Sequence, residues 1–142
     1  MLIAIIGENC VGKSSLANFI KQKTNAKVYS GRDFLRLEKN ESMACKKFQA
    51  ILQDAINGEN VIYVITESEH LKLLPEKAKK IVVTASLESI KTRFAKRTGG
   101  VLPTAVKKML ENRHGCYDNL PCDLKVDGEN FDFSAVERLV GV

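Results

Sequence analysis

Eight residues near the amino terminus have the types and spacing to hold a polyphosphate: Gly7-Glu8-Asn9-Cys10-Val11-Gly12-Lys13-Ser14. They fit the phosphate-binding pattern G-x-x-x-x-G-K-S/T. Gly7 and Gly12 permit backbone angles that a side chain forbids, and they let the chain approach a ligand closely. The backbone N–H groups from Glu8 through Asn9, Cys10 and Val11 to Ser15 can then turn inward as an anion nest. Lys13 is placed to reach the β- and γ-phosphates of a nucleotide, and Ser14 to set its hydroxyl on Mg²⁺. The ligands this chemistry predicts are ATP and Mg²⁺.

Such a loop works only between a strand and a helix, and the flanks supply both. Met1-Leu2-Ile3-Ala4-Ile5-Ile6 is continuously apolar and reads as a buried strand. After the loop, Leu16, Phe19 and Ile20 follow helical spacing, so a helix starts where the loop ends. Its dipole and unpaired N–H groups add to the same field. Further strands are expected at Lys27–Ser30, Val61–Ile65, Lys80–Thr84 and Asp123–Val126. Helices are expected to begin at Arg32 and to span Glu41–Asn57, Thr66–Leu74, Leu87–Arg97, Thr104–Arg113 and Phe131–Val140. Ser86 is a cap for the helix that follows it. Strands alternating with helices imply one parallel sheet covered on both faces. In such sheets ligands sit beyond the carboxyl ends of the strands, which is where the loop falls.

The 142 residues suffice for one domain, 1–142, and not for two. A hydrophobic content of 44% with 27% charged residues is that of an ordinary globular protein. The formal net charge of +5 suits anionic partners. No lysine–arginine block with interleaved aromatics is present, which favours a small phosphorylated substrate over nucleic acid. Cys10 lies inside the phosphate loop, and Cys45, Cys116 and Cys122 show no paired spacing. We therefore read free thiols, rather than zinc on His114, Cys116, Asp118 and Cys122. With no basic leader and no apolar run of membrane-spanning length, the expectation is a cytoplasmic monomer with no membrane partner.

Taken together, these features resemble the small P-loop kinases: the nucleoside monophosphate kinases and their shikimate- and gluconate-kinase relatives. The resemblance follows the order of elements along nearly the whole chain. It implies a three-layer P-loop NTPase fold with a five-stranded parallel sheet and a short lid. Tyr29-Ser30-Gly31-Arg32-Asp33-Phe34-Leu35-Arg36 is similar to the acceptor-binding segment after the second strand of adenylate kinases. The likeness puts Arg36 on an acceptor phosphate, with Arg32 beside it, and Asp33 near the carboxylate that shikimate-type kinases set against the acceptor hydroxyl. Arg93-Phe94-Ala95-Lys96-Arg97-Thr98-Gly99-Gly100 looks like the helix end leading into the family's lid. By that likeness Arg93 stacks on adenine and Arg97 touches the phosphates. Arg113 falls where these kinases place an arginine that reaches the transferring phosphoryl group. The catalytic set implied is Lys13, Asp33, Arg97 and Arg113. The acceptor set is Arg32, Asp33, Arg36 and Arg113.

The chain departs from adenylate kinases after the third strand. Val64-Ile65-Thr66-Glu67-Ser68 carries neither the family's aspartate nor its following arginine. Thr66, Glu67 or Asp33 is left to take over the link to Mg²⁺. The leading expectation is a kinase that moves the ATP γ-phosphoryl group to a nucleoside monophosphate or a small anionic hydroxy metabolite. Two alternatives stand beside it: a non-catalytic or regulatory ATP-binding module, and an NTPase working with nucleic acid or a protein partner. A GTPase switch is disfavoured, because no N-K-x-D or D-x-x-G segment occurs.

Overall fold

The computed structural model describes residues 1–142. Five strands form one sheet: β1 (Leu2–Ile6), β2 (Lys27–Ser30), β3 (Val61–Ile65), β4 (Lys79–Thr84) and β5 (Leu124–Asp127). Every pairing is parallel, and the order is β2-β3-β1-β4-β5. β1 is central, between β3 and β4, so the phosphate loop leaves the middle of the sheet.

Alternation along the strands makes two cores. On one face Ile3, Ile5, Ile62, Val64, Ile81 and Val83 pack under four helices. These are α1 (Lys13–Thr24), α3 (Leu87–Arg97), α4 (Thr104–Arg113) and α5 (Phe133–Val140). On the other face Leu2, Ala4, Ile6, Tyr63 and Ile65 meet α2 (Glu41–Ala55) through Ala44, Phe48, Leu52 and Ala55. The result is the expected three-layer arrangement. Strands β1 and β3 are buried at all five positions, which explains why they read as unbroken apolar runs rather than alternating ones.

Four expectations are corrected in detail. The helix expected from Arg32 is a single 3-10 turn, Asp33–Arg36, seated by Phe34 stacking on Phe48 at 5.4 Å between centroids. The helix expected from Thr66 is a 3-10 segment, Ser68–Leu73, that ends before Pro75. The α2 helix stops at Ala55, short of Asn57. The α5 helix starts at Phe133, because the Asp132 carboxylate accepts from the Ala135 N–H and caps it there. The predicted Ser86 cap is present, its hydroxyl accepting from Ser89 N–H at 3.1 Å.

Between α3 and α4 the chain turns through Thr98–Pro103, with Gly99 and Gly100 at φ 81° and 92°. Nothing lies within 4 Å of where their Cβ atoms would be, so these glycines serve the turn and not a close contact. This turn stands where the resemblance places the short lid. Lys91 on α3 and Glu111 on α4 hold its two helices together at 2.7 Å.

Candidate active site

The phosphate loop is built from backbone constraints. Gly7 donates its N–H to Ile65 O at 3.1 Å, which ties the loop entrance to β3. A Cβ on Gly7 would sit 2.7 Å from both the Val11 side chain and Val83 O, so only glycine fits. Cys10 and Gly12 take left-handed angles, φ 60° and 109°. None of the backbone N–H groups from Glu8 to Gly12 donates to another protein oxygen. α1 starts at Lys13 with no side chain capping it. A run of free donors therefore faces the start of a helix, which is an anion site in both geometry and field.

Lys13 is buried at 7% exposure. Its ammonium donates to Gly7 O at 2.8 Å and Glu8 O at 2.5 Å. Burial pulls its pKa down to about 8, and the nearby Arg97 charge pushes the same way. The ammonium is thus held in the loop short of counter-charge, a deficit that a phosphate would fill.

The back of the loop is braced by the rest of the chain. Arg93 donates from one guanidinium nitrogen to Cys10 O and from the other to Gly128 O, each at 3.1 Å. Gly128 lies so close that a Cβ there would fall 1.8 Å from Val11 O. Phe131 closes over Gly12, where a Cβ would meet its ring at 3.0 Å.

Two adjoining cavities open in front of the loop. The first, about 330 Å³, is lined by loop residues including Asn9, Lys13, Ser14 and Ser15, by Ser30 and Gly31 after β2, by Thr66, and by Arg97. The second, about 250 Å³, lies between Glu8–Asn9, Thr66–Ser68 and the chain from Arg113 to Tyr117. Asn9 and Thr66 belong to both, so the cavities communicate at the loop.

The structure gathers Lys13, Ser14 and Arg97 around the first cavity and puts Arg113 in the second. Arg113 is not free: its two terminal nitrogens donate to the two Glu67 oxygens at 3.1 and 2.7 Å. The other expected acceptor residues line neither cavity. The Asp33 carboxylate accepts from the Ser30 N–H at 2.8 Å and so shapes the turn after β2. Arg32 pairs with Glu41 at 3.5 Å, and Arg36 is exposed.

No protein-family model matches this sequence, and no curated protein matches it. Solved structures do. Shikimate kinase from Aquifex aeolicus is 21% identical, with a TM-score of 0.59 over 99% of this chain and 94% of that one. A gluconokinase from Sinorhizobium meliloti 1021 is 14% identical, with a TM-score of 0.60 over 99% and 89%. Deoxyadenosine kinase from M. mycoides, solved with dATP, is 17% identical, with a TM-score of 0.56 over 99% and 98%. The chain has the fold of the small P-loop kinases.

Within that fold, four parts of the site escaped the sequence reading. Glu8 was expected to contribute only its backbone. Its buried carboxylate accepts from Gly115 N–H at 3.1 Å and lies 3.2 Å from His114 Nδ1, tying the end of α4 to the phosphate loop. Its position inside the motif gave a signal only that a carboxylate stood beside a phosphate site. Glu67 was noticed as a stand-in for the missing aspartate, but its pairing with Arg113, 46 residues on, has no local signature. Gly128 follows an unremarkable short strand, and only the assembled fold reveals its pressure on the loop. Tyr117 completes the second cavity by donating to Thr66 O at 2.5 Å, and burial keeps its phenol protonated, with a pKa raised to about 12.

Proposed function

We propose that this chain is an ATP-dependent small-molecule kinase. The observation that carries the reading is the phosphate loop: free N–H groups from Glu8 to Gly12, a buried Lys13 and the start of α1 converge on one cavity. That the neighbours sharing the fold are kinases of shikimate, gluconate and deoxyadenosine supports transfer over simple binding. ATP would supply the γ-phosphoryl group. The loop N–H groups and Lys13 would hold its phosphates, and Arg97, on the lid side of the same cavity, would neutralise charge on the transferring group.

Mg²⁺ would arrive with the nucleotide. No three His, Cys, Asp or Glu side chains gather as a metal cage. The exposed Ser14 hydroxyl at the cavity wall would be its one direct protein ligand, the rest being phosphate oxygens and water. The second cavity, reached past Asn9 and Thr66, is where the acceptor would sit. Of the cations expected to hold an anionic acceptor, Arg32 and Arg113 are already in ion pairs. A nucleoside monophosphate or anionic metabolite would therefore meet arginines that already carry a counter-ion.

The test is ADP release from Mg-ATP over a panel of nucleosides, nucleoside monophosphates, sugars and sugar acids, with Lys13→Ala alongside. Release that depends on an acceptor and vanishes in Lys13→Ala supports the kinase. ATP binding with no release on any acceptor favours the second reading, a nucleotide-binding module, for which the missing aspartate after β3 is the motive.

A further inference from the structure

The second cavity has a sign. Arg113 is the one cation lining it, and the carboxylates of Glu8 and Glu67 line it too. The Arg113 fork is spent on Glu67, nitrogen for oxygen, at 3.1 and 2.7 Å. The pair is half-exposed and each partner keeps further donor or acceptor sites, so it weakens the pull of Arg113 on another anion without cancelling it. The hydrogen bonds from Arg113 also hold the Glu67 carboxyl below its usual range, so it is ionised at neutral pH. Glu8 adds a second carboxylate, 8% exposed, fixed by Gly115 N–H and paired with His114 Nδ1 at 3.2 Å. No other lysine or arginine lines this cavity: Lys13 and Arg97 line the neighbouring one, from which the Lys13 charge still acts on Glu67, and Arg32 and Arg36 line neither.

An acceptor bearing a carboxylate or phosphate would have to compete with Glu67 for Arg113 while facing Glu8. A neutral hydroxy compound needs no such exchange, because Asn9, Thr66 and Ser68 offer it amide and hydroxyl partners and the carboxylates accept from its O–H groups. We propose that the acceptor is a hydroxy compound without negative charge, a neutral polyol or nucleoside or an amino-substituted one, and that Glu67 sets this preference by neutralising Arg113. The proposal rests on the kinase reading for the word acceptor; the charge of the cavity stands independently of it. Specificity here is built by a repulsive element as much as by an attractive one.

Cys116 lines the cavity and is exposed, so its thiol reports the local field without any turnover. The experiment compares modification rates of Cys116 by cationic 2-aminoethyl methanethiosulfonate and anionic 2-sulfonatoethyl methanethiosulfonate. Peptide mass mapping separates Cys116 from the other cysteines, and 2-mercaptoethanol normalises the ratio. The cationic reagent should be favoured by about fivefold or more, and Glu67→Gln should erase that preference. Equal rates, or a faster anionic reagent, would overturn the proposal.

On the same preparations, ADP release is compared for matched pairs: deoxyadenosine with its monophosphate, glucose with gluconate, methyl shikimate with shikimate. Uncharged members should be preferred, and Glu67→Gln should shift the ratio about tenfold toward the anionic ones by freeing Arg113. A wild-type preference for an anionic member would also overturn the proposal. Absence of release from every pair would count against the kinase reading, while the Cys116 ratio still decides the sign of the cavity.

Discussion

Lys13 is a charge kept in a place that disfavours charge. Burial has drawn its pKa down to about 8 against an ordinary 10.5. The unfolded chain therefore holds more protons than the folded one between those values, so the free protein should gain stability as pH rises through that window. Binding has the opposite dependence. A bound phosphate favours the ammonium, so ATP binding should take up a proton near and above pH 8, and affinity should weaken as pH rises past that point. Calorimetry in buffers of different ionisation enthalpy measures both, and an affinity flat from neutrality to pH 9 would contradict this account of Lys13. Lys13→Ala should lower transfer on the order of a hundredfold or more while leaving the fold intact, as circular dichroism would show. Lost structure in that variant would mean that Lys13 is chiefly a structural link between Gly7 O and Glu8 O.

At the scale of elements, the phosphate loop is held from behind. Gly128, following β5, admits no Cβ because Val11 O stands 1.8 Å from where it would be. Gly128→Ala should cost about 1–3 kcal/mol and loosen ATP binding, because backbone rather than a pliant side chain must move. Urea unfolding measures the first effect, and an unchanged midpoint would show that the segment yields freely. This brace also marks where the sequence stopped being legible. The strand–loop–helix unit could be read because its signals are local: an apolar run, fixed glycines, helical spacing of Leu16, Phe19 and Ile20. The bounds of helices α3 and α4 are legible for the same reason, with Ser86 as the cap of α3. The turn at Asp33–Arg36 was misread as a helix because Phe34 answers to the aromatic core and not to a helical stripe. The Glu67–Arg113 and Glu8–Gly115 links join residues 46 and 107 apart, so they exist only once the sheet has formed.

Over the whole molecule the charge is placed unevenly. Residues 87–113, the two lid helices and their turn, hold seven lysines and arginines against two carboxylates. That surplus equals the formal net charge of the entire chain, +5, so the remainder is balanced. The lid is thus the cationic lobe that overlooks the phosphate cavity through Arg97. Mg-ATP should associate faster at low ionic strength, with the rate falling on the order of tenfold toward high salt. Neutralising Lys107 and Lys108, both exposed and outside the two cavities, should slow association and leave dissociation unchanged in stopped-flow measurements. A rate insensitive to salt would make the lid charge irrelevant to nucleotide capture.

In the proposed reaction the cradle formed by Gly7 to Ser14 delivers a phosphoryl group to an acceptor in the adjoining cavity. Phosphorus NMR of Mg-ATP with the protein and the uncharged acceptor panel tests it most directly. ADP signals should grow together with a new phosphoester resonance, and both should be absent with Lys13→Ala. ATP that binds yet remains intact, or that yields only inorganic phosphate whatever the acceptor, would contradict that reaction.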